Sequence, residues 1–104
     1  MSKYGNIKTI TSDGIKHDSI KEAKRWCELK LLERAGIIQD LQRQVKFELI
    51  PKQEGERAVY YIADFVYTEN GKQIVEDAKG MRTKEYKLKK KMMLYFHGIK
   101  IKET

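Results

Sequence analysis

The chain contains few cysteines, histidines and prolines, and each scarcity excludes a class of protein. Its 104 residues include one cysteine, Cys27, so no internal disulfide can form and a reducing cytoplasm is the expected compartment. Cys27 is expected to be a small buried residue. One cysteine with two separated histidines, His17 and His97, does not make a structural zinc site. With one proline and 40% apolar residues, the composition predicts a folded globule.

Long apolar segments are also missing. No apolar run is long enough to span a bilayer, so we expect a protein without membrane contact. The opening residues Met1-Ser2-Lys3-Tyr4-Gly5-Asn6 do not have the pattern of a signal peptide. The length predicts one domain over residues 1–104 with a single core.

Positive charge is abundant but unevenly placed. Residues 1–78 hold 13 basic and 13 acidic side chains, whereas residues 79–104 hold 9 basic and 2 acidic ones, which accounts for the net charge of +7. Lys84, Lys87 and Lys91 share one face of a predicted helix by their spacing. Such a cluster is either a solvated surface or a surface that binds the phosphates of nucleic acid.

A predicted β-hairpin places two aspartates opposite each other. The aromatic and β-branched run 60–67 is followed by Asn70-Gly71 and then by the apolar pair Ile74-Val75. Asn-Gly between two such runs predicts a two-residue turn, because both turn residues must take positive φ. In that register Asp64 lies directly opposite Asp77, with their Cβ atoms about 5 Å apart on one face.

Two like charges in this arrangement destabilise a sheet, so the pair needs an explanation. Either both aspartates are solvated on an exposed face, or a bulge shifts the register, or a cation lies between them. Lys79 points to the same face as Asp77, and alternation places Tyr60, Ile62, Val66 and Val75 there too. Mg²⁺ accepts carboxylate oxygens together with water and phosphate. The geometry favours a metal site at Asp64 and Asp77.

The hydrophobic pattern predicts a small N-terminal hairpin followed by the order α-β-β-β-α-β. The hairpin covers residues 7–17, with Asp13-Gly14 as its turn. A helix begins near Ser19 and runs to Ala35, and Thr83 caps a second helix that reaches about Phe96. Strands are predicted at about 45–49, 58–67, 72–79 and 99–102. The helix before the last strand favours a parallel pairing, and therefore a mixed sheet flanked by helices.

This order, with Asp64 on the second core strand and Asp77-Ala78-Lys79 on the third, resembles the PD-(D/E)XK nuclease superfamily. The resemblance extends to a family of small phage and prophage proteins that are endonuclease-like. It is carried by Asp13-Gly14-Ile15 and by the segments 18–23, 61–67 and 75–80, and it covers nearly the whole chain. It implies an α/β fold with a restriction-endonuclease-like αβββαβ core.

The resemblance implies a role for each matching residue. Asp64 and Asp77 would be metal ligands, and Lys79 the catalytic lysine that orients water or stabilises transition-state charge. Glu22 matches a glutamate that the superfamily often supplies from its first helix, although Ser19 and Glu22 equally form a capping box.

Three further positions either depart from that motif or accompany it. Ala63 stands where the motif has proline, which is a common variation. Glu76 rivals Asp77 as the acid before the lysine if a bulge rotates it inward, but the register favours Asp77. Gln44 recurs in the resembling proteins without an assigned mechanism.

The function implied by the resemblance is a Mg²⁺-dependent DNA endonuclease, with Mn²⁺ able to substitute. DNA contacts are expected from the cations that follow the site, namely Arg82, Lys84, Lys87, Lys90 and Lys91. A chain without a separate base-reading domain favours recognition of branched or Holliday-junction DNA by a homodimer, in phage recombination or replication inside a bacterial host. Two alternatives remain open: a basic nucleic-acid-binding protein without catalytic activity, and an accessory subunit that binds an acidic phage protein through the lysine helix.

Overall fold

The described part of the chain is a mixed α/β fold with one four-stranded sheet, two helices and an N-terminal hairpin. The computed structural model describes residues 9–78 and 82–104, so Lys79 and the first eight residues lie outside the described residues. The elements are β1 (Thr9–Ile10), β2 (Lys16–His17), α1 (Ile20–Arg34), β3 (Gln39–Ile50), β4 (Val59–Glu69), β5 (Lys72–Asp77), α2 (Lys84–His97) and β6 (Lys102–Glu103). After the β1–β2 hairpin, this order confirms the predicted αβββαβ core.

The four-stranded sheet has the order β3-β4-β5-β6. The first three strands pair antiparallel, and β6 pairs with β5 in parallel, with Asp77 beside Glu103. The predicted mixed sheet is therefore confirmed, although β6 starts later than the predicted 99–102. Ile101 is instead a buried core residue that precedes the strand.

The strand β3 is longer than predicted, because it begins at Gln39 and not near Val45. Its first half is polar and irregular: Asp40 and Gln44 have positive φ, and the pairing with β4 shifts between Gln39 and Gln42. A bulged segment does not alternate regularly between apolar and polar residues, so alternation could not reveal it.

Both helices begin at the predicted capping residues, Ser19 and Thr83, and the first ends at Ala35 as predicted. The Ser19 hydroxyl accepts a hydrogen bond from the Glu22 backbone N–H at 3.1 Å, and the Thr83 hydroxyl accepts one from the Tyr86 N–H at 3.1 Å. These bonds satisfy helix N–H groups that have no partner within the helix. The second helix ends at Gly98, whose φ of 66° is in the left-handed region.

The turn between β4 and β5 has the predicted geometry. Asn70 and Gly71 have φ values of 52° and 74°, as a primed two-residue turn requires. Five residue pairs, from Glu69–Lys72 to Phe65–Glu76, follow the predicted register. The turn chemistry therefore determines which residues of β4 and β5 lie side by side.

The sheet buries a separate apolar cluster on each face. The α1-side cluster consists of Trp26, Leu29, Ile38, Phe65, Tyr67 and Ala78, and the α2-side cluster of Leu49, Tyr61, Ala63, Val66, Val75, Tyr86, Met93 and Ile101. Burying each large side chain contributes about 1.5–3 kcal/mol. Cys27, predicted to be buried, is exposed, because it lies on α1 away from the cluster. Within the described residues, neither helix is long and apolar enough to cross a membrane.

Candidate catalytic site where the pairing of strands β4 and β5 ends

The strands β4 and β5 stop pairing where the two predicted aspartates lie. The last backbone pair is Phe65–Glu76, and one further step in that register would pair Asp64 with Asp77. Instead, the Asp64 Oδ2 atom accepts a hydrogen bond from the Ala78 backbone N–H at 2.8 Å. The Asp64 side chain thus takes the place of a backbone acceptor. The structure therefore brings Asp64 next to the end of β5, as the hairpin register predicts.

Asp77 is fully buried and receives its described hydrogen bond from a tyrosine. The Tyr61 hydroxyl donates to Asp77 Oδ2 at 2.5 Å. Burial raises the pKa of Tyr61 far above its ordinary value, and the hydrogen bond and charge of Asp77 and the charge of Asp64 raise it further. The hydroxyl is therefore protonated at neutral pH and donates to the Asp77 carboxylate.

Tyr61 was not predicted at this site because the side-chain alternation of β4 is interrupted. Phe65 belongs to the α1-side cluster, whereas Tyr61 and Ala63, of the same parity, belong to the α2-side cluster. The predicted positions of Tyr60 and Ile62 beside the aspartates are therefore wrong. Ile62 is half exposed, and Tyr60 packs under the Lys46 ammonium instead.

The interruption coincides with an unusual backbone conformation at Gln44. This residue lies on β3 between the pairs Arg43–Phe65 and Val45–Ala63, which places it across from Asp64. Its φ of 54° is in the left-handed region, which costs a residue other than glycine of order 1–3 kcal/mol. The Gln44 amide Nε2 donates to Glu22 Oε1 at 3.3 Å, so the strained residue connects β3 to α1.

Glu22 lies in a largely buried polar cluster at the start of α1. Its Oε1 atom is 3.5 Å from His17 Nδ1 and 3.8 Å from Arg43 Nη2, and it accepts the bond from Gln44. Burial lowers the pKa of His17, and the Arg43 charge lowers it further, so His17 is neutral at pH 7. Glu22 therefore serves the helix cap through its backbone while its carboxylate contacts the side chains of β2 and β3.

Glu76, the rival of Asp77, faces the other side of the sheet. Its two carboxylate oxygens accept hydrogen bonds from Arg25 at 2.6 and 2.9 Å, from Tyr67 at 2.6 Å and from Thr104 at 3.1 Å. Burial would raise the pKa of Glu76, but these donors outweigh it and hold the pKa below its ordinary value. The contacts describe a structural ion pair.

Among the described residues, the two aspartates are side chains suited to a hard cation. Asp64 and Asp77 are both buried carboxylates at the point where the pairing of β4 with β5 ends, and Mg²⁺ accepts one or two carboxylates together with water and phosphate oxygens. Among residues 9–78 and 82–104, no three His, Cys, Asp or Glu side chains are grouped closely enough to hold a metal ion. Metal binding by Asp64, Asp77 and Glu22 stays a prediction, as does the role of Lys79.

The predicted DNA-binding cations fall into two groups. Arg82 and Lys90 contact the Glu103 carboxylate at 2.9 and 3.0 Å. The other three, Lys84, Lys87 and Lys91, are exposed on α2, and no described carboxylate lies within ion-pairing distance of them. The exposed group remains available to an external anion.

Comparisons with known proteins place the chain in a family but do not test this site. No curated protein and no solved structure matches it. One family model, described as "Protein of unknown function (DUF1064)", matches residues 1–103. Because this match extends over almost the whole sequence, the chain belongs to the DUF1064 family.

Proposed function

We propose that this protein is a Mg²⁺-dependent DNA endonuclease of the PD-(D/E)XK superfamily. The observation that carries the proposal is the position of Asp64 and Asp77, two buried carboxylates at the point where β4 and β5 separate. Two buried carboxylates at one place suit Mg²⁺, which accepts oxygen ligands from one or two carboxylates. The strained Gln44 backbone across from Asp64 is a second feature typical of functional sites.

Hydrolysis of a phosphodiester requires an activated water and stabilisation of the negative charge that develops on the phosphate. Mg²⁺, when bound, supplies both by lowering the pKa of water and polarising the phosphate. Asp64 and Asp77 would hold this ion, and the Tyr61 hydroxyl would fix the orientation of the Asp77 carboxylate. Lys79 follows directly after Ala78 and would orient the attacking water or stabilise transition-state charge.

The substrate that we propose is branched DNA, including the Holliday junction, in phage recombination or replication in the cytoplasm of a bacterial host. Arg82, Lys84, Lys87, Lys90 and Lys91 would contact its phosphates. A homodimer would engage two arms of a junction. Exposed apolar side chains on α2 (Tyr95 and Phe96) support such an interface, because they lie on a surface that a second copy could cover. Light scattering of the purified protein measures the oligomeric state.

A basic nucleic-acid-binding protein without catalytic activity is the second candidate. The observation that favours it is that the described residues contain no group of three potential metal ligands. It accounts for the positive charge of residues 79–104 but not for the neighbouring buried aspartates.

Incubation with DNA of several shapes separates the two candidates. The protein is mixed with plasmid, linear, flapped and four-way-junction DNA in Mg²⁺, Mn²⁺ or EDTA. An endonuclease produces metal-dependent cuts, and the structure-selective form cuts the branched substrates first. Binding to these substrates without cleavage in either metal would favour the second candidate.

A melting experiment tests the metal site independently of cleavage. A cation that binds only the folded state stabilises it by about 2.7 kcal/mol at one hundred times its Kd. We expect Mn²⁺ to raise the melting temperature of the natural protein and not that of the Asp64→Asn variant. Equal melting temperatures of the natural protein with and without saturating Mn²⁺ would count against the site.

A further inference from the structure

A pocket of about 390 Å³ lies between α2 and the segment that leads into β6. Its volume is within the range of about 300–1,000 Å³ that is typical of small-ligand sites. The cations that line it are Arg82, Lys87, Lys90, Lys91 and Lys100. The remaining lining residues are the apolar Leu94 and Ile101 and one acid, Glu103. The pocket therefore combines an apolar wall with a strongly cationic one.

The cations in this pocket exceed what its own acid can neutralise. Glu103 accepts hydrogen bonds from Tyr86, Lys90 and Arg82, and these donors lower the pKa of Glu103 to about 2. Lys87, Lys91 and Lys100 form no ion pair with any carboxylate in the described ranges. The pocket thus has three lysines in addition to the two cations that pair with Glu103, and an external anion would compensate their charge.

The spacing of residues on α2 explains how the cationic and apolar walls of the pocket come together. Lys87, Lys91 and Leu94 lie at i, i+4 and i+7 on α2, which places them on one face of the helix. Leu94 is half exposed although it belongs to the pocket wall, while Ile101 is buried beneath it. A ligand that carries both an anionic group and an apolar body can use both kinds of wall.

The pocket is also close to the candidate catalytic site. Glu103 is the parallel-strand neighbour of Asp77, and the Thr104 backbone N–H donates to the Asp77 carbonyl at 3.0 Å. A nucleic-acid strand held at the aspartates could therefore continue along α2 into the pocket.

We propose that this pocket holds an unpaired nucleotide of a DNA strand, with its phosphate on Lys87, Lys91 and Lys100 and its sugar and base against Leu94 and Ile101. In a continuous duplex the bases are stacked and paired, so only phosphates would reach the lysines. The apolar wall of the pocket would then contact no base. The inference rests on the proposed DNA endonuclease and adds its substrate class, namely DNA with an unpaired nucleotide next to the scissile bond.

The test measures binding in EDTA, so that no cleavage is required. Fluorescence anisotropy compares a blunt duplex with the same duplex carrying a short single-stranded flap. We expect the flapped duplex to bind more tightly. Leu94→Ser should weaken the affinity for the flapped duplex roughly tenfold, which is the scale of one nucleotide contact. The affinity for the blunt duplex should change little.

Two matched controls separate the pocket from the general charge of the surface. Leu88 lies on the same helix outside the pocket and is 54% exposed, compared with 55% for Leu94, so Leu88→Ser should leave both affinities unchanged. Lys100→Gln should weaken flap binding more than Lys102→Gln, because Lys102 is an equally exposed lysine that does not line the pocket. All four changes lie at exposed positions, and circular dichroism verifies that each variant is folded.

Each outcome has a distinct consequence. Equal binding of both duplexes, or equal effects of Leu94→Ser and Leu88→Ser, would overturn the pocket assignment while leaving the proposed endonuclease intact. Absence of binding to every DNA would overturn both. Displacement of flapped DNA by a free deoxynucleoside monophosphate at comparable concentration would assign the pocket to a free nucleotide and overturn the DNA proposal.

Discussion

The strands β4 and β5 carry two tyrosine–carboxylate pairs with nearly identical hydrogen bonds on opposite faces of the sheet. On the α1 side the Tyr67 hydroxyl donates to Glu76 at 2.6 Å, and on the α2 side the Tyr61 hydroxyl donates to Asp77 at 2.5 Å. Both carboxylates are fully buried. What distinguishes the pairs is the charge beside each carboxylate.

Glu76 is paired with a cation, and Asp77 lies beside a second acid. Arg25 donates two hydrogen bonds to Glu76, which neutralises the carboxylate where it is buried. Beside Asp77, the Asp64 carboxylate accepts a bond from the Ala78 N–H. A buried ion pair is understandable as structure, whereas two buried carboxylates at one place suit the hard cation of the proposed function. We therefore expect a structural role for Glu76 and, under the proposed function, a catalytic role for Asp77.

The largest expected effect comes from exchanging each carboxylate for its amide. Asp77→Asn should reduce DNA cleavage by roughly 100-fold or more, because the loss of a metal ligand costs at least as much as the loss of a group that merely supports one. Asp64→Asn and Lys79→Ala should have the same effect, with folding retained. Gel assays of junction cleavage in Mg²⁺ measure the rates.

Glu76→Gln is the control for that comparison. It breaks the ion pair between the buried Glu76 and the partly buried Arg25 and should lower the free energy of unfolding by about 3 kcal/mol, measured by urea titration. Cleavage should persist at a temperature where the variant is folded. If the folded Glu76→Gln variant were inactive and Asp77→Asn fully active, the two faces would have to exchange their roles.

An intermediate effect is expected from the two tyrosines. Tyr61→Phe removes the hydrogen bond that holds Asp77, so we expect Mn²⁺ affinity and cleavage to fall by about 10–100-fold. Tyr67→Phe removes the equivalent bond to Glu76 and should cost about 1–2 kcal/mol of stability with no change in Mn²⁺ affinity. Calorimetric Mn²⁺ titration of both variants makes the measurement. A similar loss of metal affinity in both would mean that the tyrosines act through the general packing of the sheet.

Local sequence signals were sufficient for most of the fold. The Asn70-Gly71 turn requires positive φ at both residues, and Ser19 and Thr83 provide hydroxyls for helix N-termini, so these positions were predictable from short-range chemistry. The parallel β6 followed from the helix that precedes it. The first half of β3 could not be predicted, because its bulged residues do not alternate and its pairing depends on contacts with β4.

The candidate site, like the fold, was predictable only in part. The position of Asp64 beside the end of β5 followed from the turn, but the contact between Tyr61 and Asp77 did not. It depends on the interrupted alternation of β4, which coincides with the left-handed conformation of Gln44 across from Asp64. His17 beside Glu22 was also unpredicted, because the sequence predicts the hairpin over residues 7–17 but not how it packs against the start of α1. Contacts between distant segments were thus the missing information.

The smallest expected effect concerns the α1 side of the sheet, where the free energy of unfolding should depend on pH. Arg25 and Tyr67 hold the folded-state pKa of Glu76 below its ordinary value of 4.5. The unfolded chain therefore binds a proton at Glu76 more readily, and the stability that this group contributes is present above pH 4.5 and is lost as the pH falls through the folded-state pKa. Glu76→Gln should flatten the dependence of unfolding free energy on pH in this acidic range.

His17 provides a second window at higher pH. Burial lowers its pKa below the ordinary value of 6.5, so the unfolded chain again binds the proton first. Stability from this group is present above pH 6.5 and is lost as the pH falls through the lowered folded-state pKa. His17→Gln should flatten only this window, and Glu76→Gln only the one below it. Urea unfolding of the natural protein and both variants between neutral and acidic pH tests the pair. If each variant shifted the whole curve down without changing its slope in the expected window, both groups would contribute through packing and not through their titration.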